Sequence, residues 1–293
     1  MNCRGTYIVL ISLVLGLNTL YAEPQKTTEA DISTWRKLAA EGDAAAQYLL
    51  GGSYAFGNGV PKDEKTALDW YLKASEQGHA DAQVSLGMCY EDGKGTSQDY
   101  SKAASWYRKA AEQKHAFGQY SLGNCYATGH GVKQDFEEAT NWFRKAAEQG
   151  LASAQWTLGV FYSEDWAMGK DFKESVKWFR MAAEQGHAES QAQMGRHYLG
   201  GMGVPIDNAE AAKWFRKAAE QENSTGQDGL GLCYRFGFGV PKDYVTAYHW
   251  YNIAAVSRKS AAIERDELAL LMTAEQIAEA QRRSSEYLQQ RQQ

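Results

Sequence analysis

The sequence predicts an all-α protein, an α-solenoid of six 36-residue helical hairpins. Three observations predict it. Trp70, Trp106, Trp142, Trp178, Trp214 and Trp250 fall 36 residues apart every time, with no gap. So do Tyr54, Tyr90, Tyr126, Tyr162, Tyr198 and Tyr234, and so do Gly51, Gly87, Gly123, Gly159, Gly195 and Gly231. Strict self-similarity at this period is the mark of one supersecondary unit stacked on itself, because a single hairpin cannot bury both of its faces. A glutamine series (Gln47, Gln83, Gln119, Gln155, Gln191, Gln227) and an aspartate series (Asp63, Asp99, Asp135, Asp171, Asp207, Asp243) keep the same register.

The second unit shows why each half is helical. Leu86 and Tyr90 stand four apart, on one helical face. Gly93-Lys94-Gly95 then breaks the helix, since glycine tolerates backbone angles that other residues resist. Asp99 opens the second helix, where a carboxylate caps free amides and faces the positive dipole end. Ala103, Trp106 and Ala110 follow as a small-large-small stripe. The mid-helix glycine is costly, about 1 kcal/mol relative to alanine. Keeping it implies a close approach of the partner helix, with the alanines and the tryptophan seated against it. Equal repeat lengths imply a constant rotation per unit. By analogy with other helical-hairpin solenoids, the array is expected to form a right-handed superhelix with a concave groove.

Composition limits the alternatives. Aromatics make up 12 % of 293 residues and proline occurs four times, which suits packed helices and argues against disorder. Arg4 followed by the apolar run Tyr7–Leu17 reads as a signal peptide over residues 1–22, with Ala22 ahead of Glu23. That run is too short to span a bilayer, although retention as an anchor remains the alternative. Location is therefore expected to be periplasmic or secreted. The rest carries an excess of acidic residues with both signs interspersed, so no basic footprint for nucleic acid appears. Cys89, Cys125 and Cys233 remain after the leader, an odd number that cannot pair wholly within the chain. Their spacing argues for buried free thiols acting as small hydrophobes.

The pattern Ala-Gln-x-x-Leu-Gly-x-x-Tyr, Gly-x-Gly, Asp, Ala-x-x-Trp, Lys-Ala-Ala-x-Gln-Gly resembles the Sel1-like repeat, a relative of the tetratricopeptide repeat. The likeness covers residues 44–259 in six copies. Trp35 to Gly42 resembles the end of a second helix without its first, which makes residues 23–43 an N-terminal capping helix. Residues 260–293, with Arg265–Leu268 and Met272–Gln276, resemble the closing helices common in that family. The fourth unit departs from the pattern: Asp165-Trp166-Ala167-Met168 replaces Gly-x-Gly-Val, which is expected to alter its loop and expose Trp166.

No chemistry-bearing constellation stands out. His79, His115 and His187 share one repeat position at the turn between units, which assigns them to architecture. His130, His197 and His249 are isolated, and no His-Glu-x-x-His or zinc-spaced Cys/His cluster occurs. The resemblance also brings in cysteine-rich members to which penicillin binding is ascribed. This chain lacks their paired cysteines, and it has no Ser-x-x-Lys or Lys-Thr-Gly. No cofactor, metal or catalytic residue is expected.

What remains is a surface. Positions invariant across units build the core, so those that vary are free to specify a partner. Placing the first helix of each unit on the concave face, as in the tetratricopeptide relatives, gives two columns. One holds Tyr48, Val84, Tyr120, Trp156, Ala192 and Asp228; the other holds Gly52, Met88, Asn124, Val160, Arg196 and Leu232. Large apolar residues, Tyr, Trp and Arg at non-core positions suggest interface anchors. The expected function is an extracytoplasmic adaptor gripping a protein or peptide. A cell-wall enzyme or β-lactam-binding protein, and a structural spacer in an envelope complex, are the alternatives.

Overall fold

The structure is a computed structural model that describes residues 28–164 and 169–291. The leader over residues 1–22 and the variant loop with Trp166 lie outside the described residues. The described residues form fifteen helices and no strand, an all-α repeat solenoid. α1 (Glu29–Ala40) precedes the hairpins α2 (Ala44–Phe56)/α3 (Glu64–Glu76), α4 (Ala80–Asp92)/α5 (Tyr100–Glu112) and α6 (Ala116–Thr128)/α7 (Phe136–Glu148). The next are α8 (Ala152–Ser163)/α9 (Phe172–Glu184), α10 (Ala188–Gly200)/α11 (Asn208–Glu220) and α12 (Ser224–Phe236)/α13 (Tyr244–Ala254). α14 (Lys259–Ala269) and α15 (Ala274–Gln290) follow. The chain divides into two compact units, Met1–Ala154 and Gln155–Gln293.

Each hairpin is closed by the residues the repeat holds constant. The repeat aspartate caps every second helix; Asp135, for example, accepts from the amides of Glu137 and Glu138 at 3.0 Å each. Its own backbone N–H donates to the carbonyl of the repeat tyrosine, at 2.8–3.0 Å in all six hairpins. The connection therefore has one closure, and the fourth hairpin keeps it through Asp171 and Tyr162 despite its different loop sequence. The second loop glycine meets the preceding hairpin: a Cβ on Gly95 would collide with the carbonyl of Glu64, and one on Gly131 with that of Tyr100.

The mid-helix glycine does mark a close approach, but the residue seated on it is not the tryptophan. Gly51, Gly87, Gly123, Gly159, Gly195 and Gly231 face Tyr71, Tyr107, Phe143, Phe179, Phe215 and Tyr251. A Cβ at these glycines would lie 2.5–2.8 Å from the ring, closer than any side chain tolerates. Those six aromatics are at most 5 % exposed, and each follows the repeat tryptophan directly.

The tryptophans Trp70, Trp106, Trp142, Trp214 and Trp250 are half-buried instead; only Trp178 is buried. In four hairpins the lysine three residues on lies over the indole, with Lys73, Lys109, Lys145 and Lys217 at 3.6–4.3 Å from the ring centroid. An indole that keeps one face for an ammonium cannot also be the centre of the core. The fourth hairpin has Met181 in place of that lysine, and there Trp178 sinks to 4 % exposure.

The first-helix glutamine ties its hairpin to the helix before it, and the closing glutamine ties to it within the hairpin. Gln47 donates its amide to the carbonyl of Ala39 in the preceding helix and accepts from Gln77 at 2.8 Å. Gln83 with Gln113, Gln119 with Gln149, Gln155 with Gln185, and Gln191 with Gln221 repeat the link at 2.7–2.8 Å. The first-helix glutamines are buried and the closing ones exposed, so losing a closing glutamine leaves a buried amide oxygen without its donor. Phe143→Ala is expected to destabilise the protein by about 3–5 kcal/mol, and Trp142→Ala by clearly less. Urea midpoints of the two variants check the order.

Candidate functional site

The sequence-derived columns divide on burial. In the first unit Val84 and Tyr120 are each 3 % exposed and belong to the packing core, so neither can meet a partner. The reason is geometric: this column faces the second helix, and Tyr120 lies 5.6 Å from Phe143, as Tyr48 lies 5.9 Å from Tyr71. Tyr48 is half-buried and stacked on His79 at 4.9 Å. Met88 and Asn124 are half-buried.

In the second unit Trp156 and Val160 pack on the cluster of Val176, Phe179, Ala183 and Met194. Ala192 is buried. Asp228 is half-buried and pairs with Arg258 at 3.3 Å; burial pushes its carboxyl up and Arg258 opposes the shift. Leu232 packs on the C-terminal cluster around Tyr251 and Leu268. Arg196 is exposed. Most of the two columns thus serves stacking between neighbouring helices.

An open concavity lies between the first two hairpins, and Met88 of the second column lines it. Its volume is about 150 Å³, and Ala55, Phe56, Ala67, Tyr71, Met88 and Cys89 form its apolar lining. Ser85, Glu64, Lys62 and Lys94 complete it. Phe56 is 47 % exposed at its edge. Lys62 pairs with Glu64 and Lys94 with Asp92, both at 2.8 Å. Ion pairs this exposed contribute little and open readily. A space of that size accepts one benzene-sized group.

The groups that could carry chemistry are committed elsewhere. His79, His115 and His187 are N-caps, each accepting at Nδ1 from an amide of the following helix at 3.1–3.3 Å. Asp43 and Asn223 do the same work in the first and sixth hairpins. Cys89, Cys125 and Cys233 are buried and free, and burial pushes their thiols up to about 11, 12 and 12. Thiols held there are poor nucleophiles. Among the described residues, no group of three or more His, Cys, Asp or Glu could hold a metal ion. No helix among them is long and apolar enough to cross a membrane.

The family model of the Sel1 repeat matches residues 44–79, 80–115, 116–151, 152–187, 188–223 and 224–255. The chain belongs to the Sel1-repeat family. Among solved structures it is similar to c5321, a protective antigen present in uropathogenic Escherichia coli strains displaying an SLR fold. That match has 36 % identity and a TM-score of 0.83, and it covers 97 % of this chain and 60 % of that one. The chain thus spans 60 % of the length of that relative. It is also similar to a Sel1 repeat protein from Oxalobacter formigenes, at 36 % identity and a TM-score of 0.69, covering 77 % of this chain and 90 % of that one. Comparison with curated proteins gave no match. The Sel1-repeat fold commonly mediates protein–protein interaction, and its members are typically non-enzymatic scaffolds.

Mild acid should loosen this Sel1-repeat protein through its buried histidines. Burial lowers the imidazoles of His187 and His197, and burial with Arg283 takes His249 down to about 4. A histidine depressed in the fold contributes stability above its unfolded value near 6.5, and that stability is lost as pH falls through the folded value. Burial raises Glu91 and Asp228, which act in the opposite sense. The melting midpoint is expected to fall between pH 6.5 and about 4. His249→Gln should flatten that slope relative to the parent protein, as scanning calorimetry across the range would show.

Proposed function

We propose that this chain is an extracytoplasmic scaffold that grips a protein or peptide partner, with the cleft between its first two hairpins as a primary contact. The observation that carries the reading is the cleft itself. Residues constant across the repeats are consumed in caps, loop closures, glutamine links and aromatic seats. Beside Ala67 and the aromatic seat Tyr71, the cleft is lined by residues that vary: Phe56, Met88, Lys62 and Lys94. It combines an apolar floor, an exposed aromatic edge and a polar rim, which is the anatomy of an anchor pocket. Arg4 and the apolar run Tyr7–Leu17 support a place beyond the cytoplasm. The similar E. coli protein is a protective antigen, which accords with that place.

The test is photo-cross-linking of the full chain in its native envelope. A photoreactive residue at Phe56 is expected to capture one dominant protein, whereas the same group at the exposed Arg196 of the second unit captures none. Phe56→Ala combined with Met88→Ala should keep the helical circular dichroism and abolish that capture. Undiminished capture by the double variant would contradict the assignment of the cleft.

A further inference from the structure

Like α4 on α3 and α6 on α5, α14 packs on the second helix before it, α13. Its inner side is committed there. Ala261 and Leu268 are buried in the cluster around Tyr251, and Arg235 of α12 holds Glu264 and Glu267. In hairpins such as α2/α3 and α4/α5 the second helix then covers the first. α15 lies on α13 instead, where Gln281 donates to the Tyr248 hydroxyl at 3.4 Å and Ala280 joins the same buried cluster. The outer side of α14 stays open.

That side is not built as a cap. The end of a repeat array needs a polar face to stay in water. Here Val256, Ile263, Leu270 and Leu271 are 79 %, 59 %, 86 % and 60 % exposed, a concentration of apolar surface that marks a contact. Their order is symmetric about Ile263. Val256, in the turn ahead of the helix, and Leu270, its C-cap, stand seven residues to either side. Lys259 and Glu267, both exposed, stand four residues to either side, the spacing that shares a helix face with Ile263. Charge thus runs basic before the centre and acidic after it. Lys259 forms no ion pair among the described residues. Arg235 touches one oxygen of Glu267 at 3.4 Å, and that side chain is still 58 % exposed. A helix side with this order is complementary to a copy of itself run backwards.

From this we infer that the outer side of α14 is a dimer contact, pairing antiparallel with the same side of a second copy about a two-fold axis at Ile263. In that register Ile263 meets its own copy and Val256 meets Leu270. Lys259 meets Glu267 on both sides of the axis, as an isologous contact requires. A parallel pairing would set Lys259 against Lys259 and Glu267 against Glu267. One helix side is a small interface, so the dimer is expected to dissociate in the micromolar range. Each dimer carries two copies of the cleft, which makes the scaffold bivalent. The contact lies in the second unit and does not depend on the cleft gripping a partner.

Sedimentation velocity of the full chain from about 5 to 500 µM tests this. The parent protein is expected to pass from monomer to dimer across the series. Ile263→Glu stays monomeric with unchanged helical circular dichroism, because the side chain is exposed in the monomer. Lys259→Glu and Glu267→Lys each weaken association by about tenfold, through like charges set opposite one another at both ends of the contact. An equimolar mixture of those two variants restores it, since each chain then meets the opposite sign on the other. A parent protein monomeric throughout the series overturns the inference and leaves the stripe to a different protein. A dimer that survives Ile263→Glu, or a mixture no tighter than its components, overturns it as well.

Discussion

One contact per hairpin sets the geometry of everything else: an aromatic ring laid directly on the backbone of a glycine in the facing helix. A β-carbon at that glycine would lie 2.5–2.8 Å from the ring, so the two helices sit closer than any other residue permits. Helix propensity opposes the arrangement by about 1 kcal/mol at each copy. Burial of the ring outweighs it, since a fully buried aromatic contributes several times that amount. The close approach also fixes where the repeat tryptophan can go. Being the next residue round the helix, it is turned toward the neighbouring hairpin and solvent, where a lysine covers its outer face in four copies.

From that seat the links between hairpins follow. With the helix pair fixed, the buried glutamine of the first helix reaches back eight residues to a carbonyl of the preceding second helix and forward to the closing glutamine of its own hairpin. Histidine, aspartate or asparagine caps the incoming helix, and the loop glycine rests on the hairpin before. Each device spans only nearest neighbours, as expected of a quasi-one-dimensional array. Change at one varying position is therefore absorbed locally: the first hairpin carries Ala55 beside an open cleft, and at the same position its neighbour carries Glu91 bonded to Tyr107.

Periodicity made the helices, their register, the aspartate caps and the structural role of the turn histidines readable before any coordinates, because each is a local rule repeated six times. Two things were not readable. The tryptophan looked like the core residue because it alone is chemically constant; its neighbour alternates between tyrosine and phenylalanine, and constancy of shape is harder to see than constancy of identity. Part of the expected contact column falls in the core for a related reason. Val84 and Tyr120 vary, yet they vary among residues that pack, and variation by itself does not distinguish an exposed position from an adaptable buried one.

The central claim, that the ring-on-glycine contact governs the hairpin, is tested most directly by a double-mutant cycle on Gly123 and Phe143. Gly123→Ala alone should be destabilising, despite alanine's better helix propensity, because its β-carbon meets the ring. Placed on a Phe143→Leu background, the same change should cost far less, giving a coupling energy of about 1–3 kcal/mol between the two sites. Additive effects, with Gly123→Ala neutral or stabilising in both backgrounds, would contradict the account.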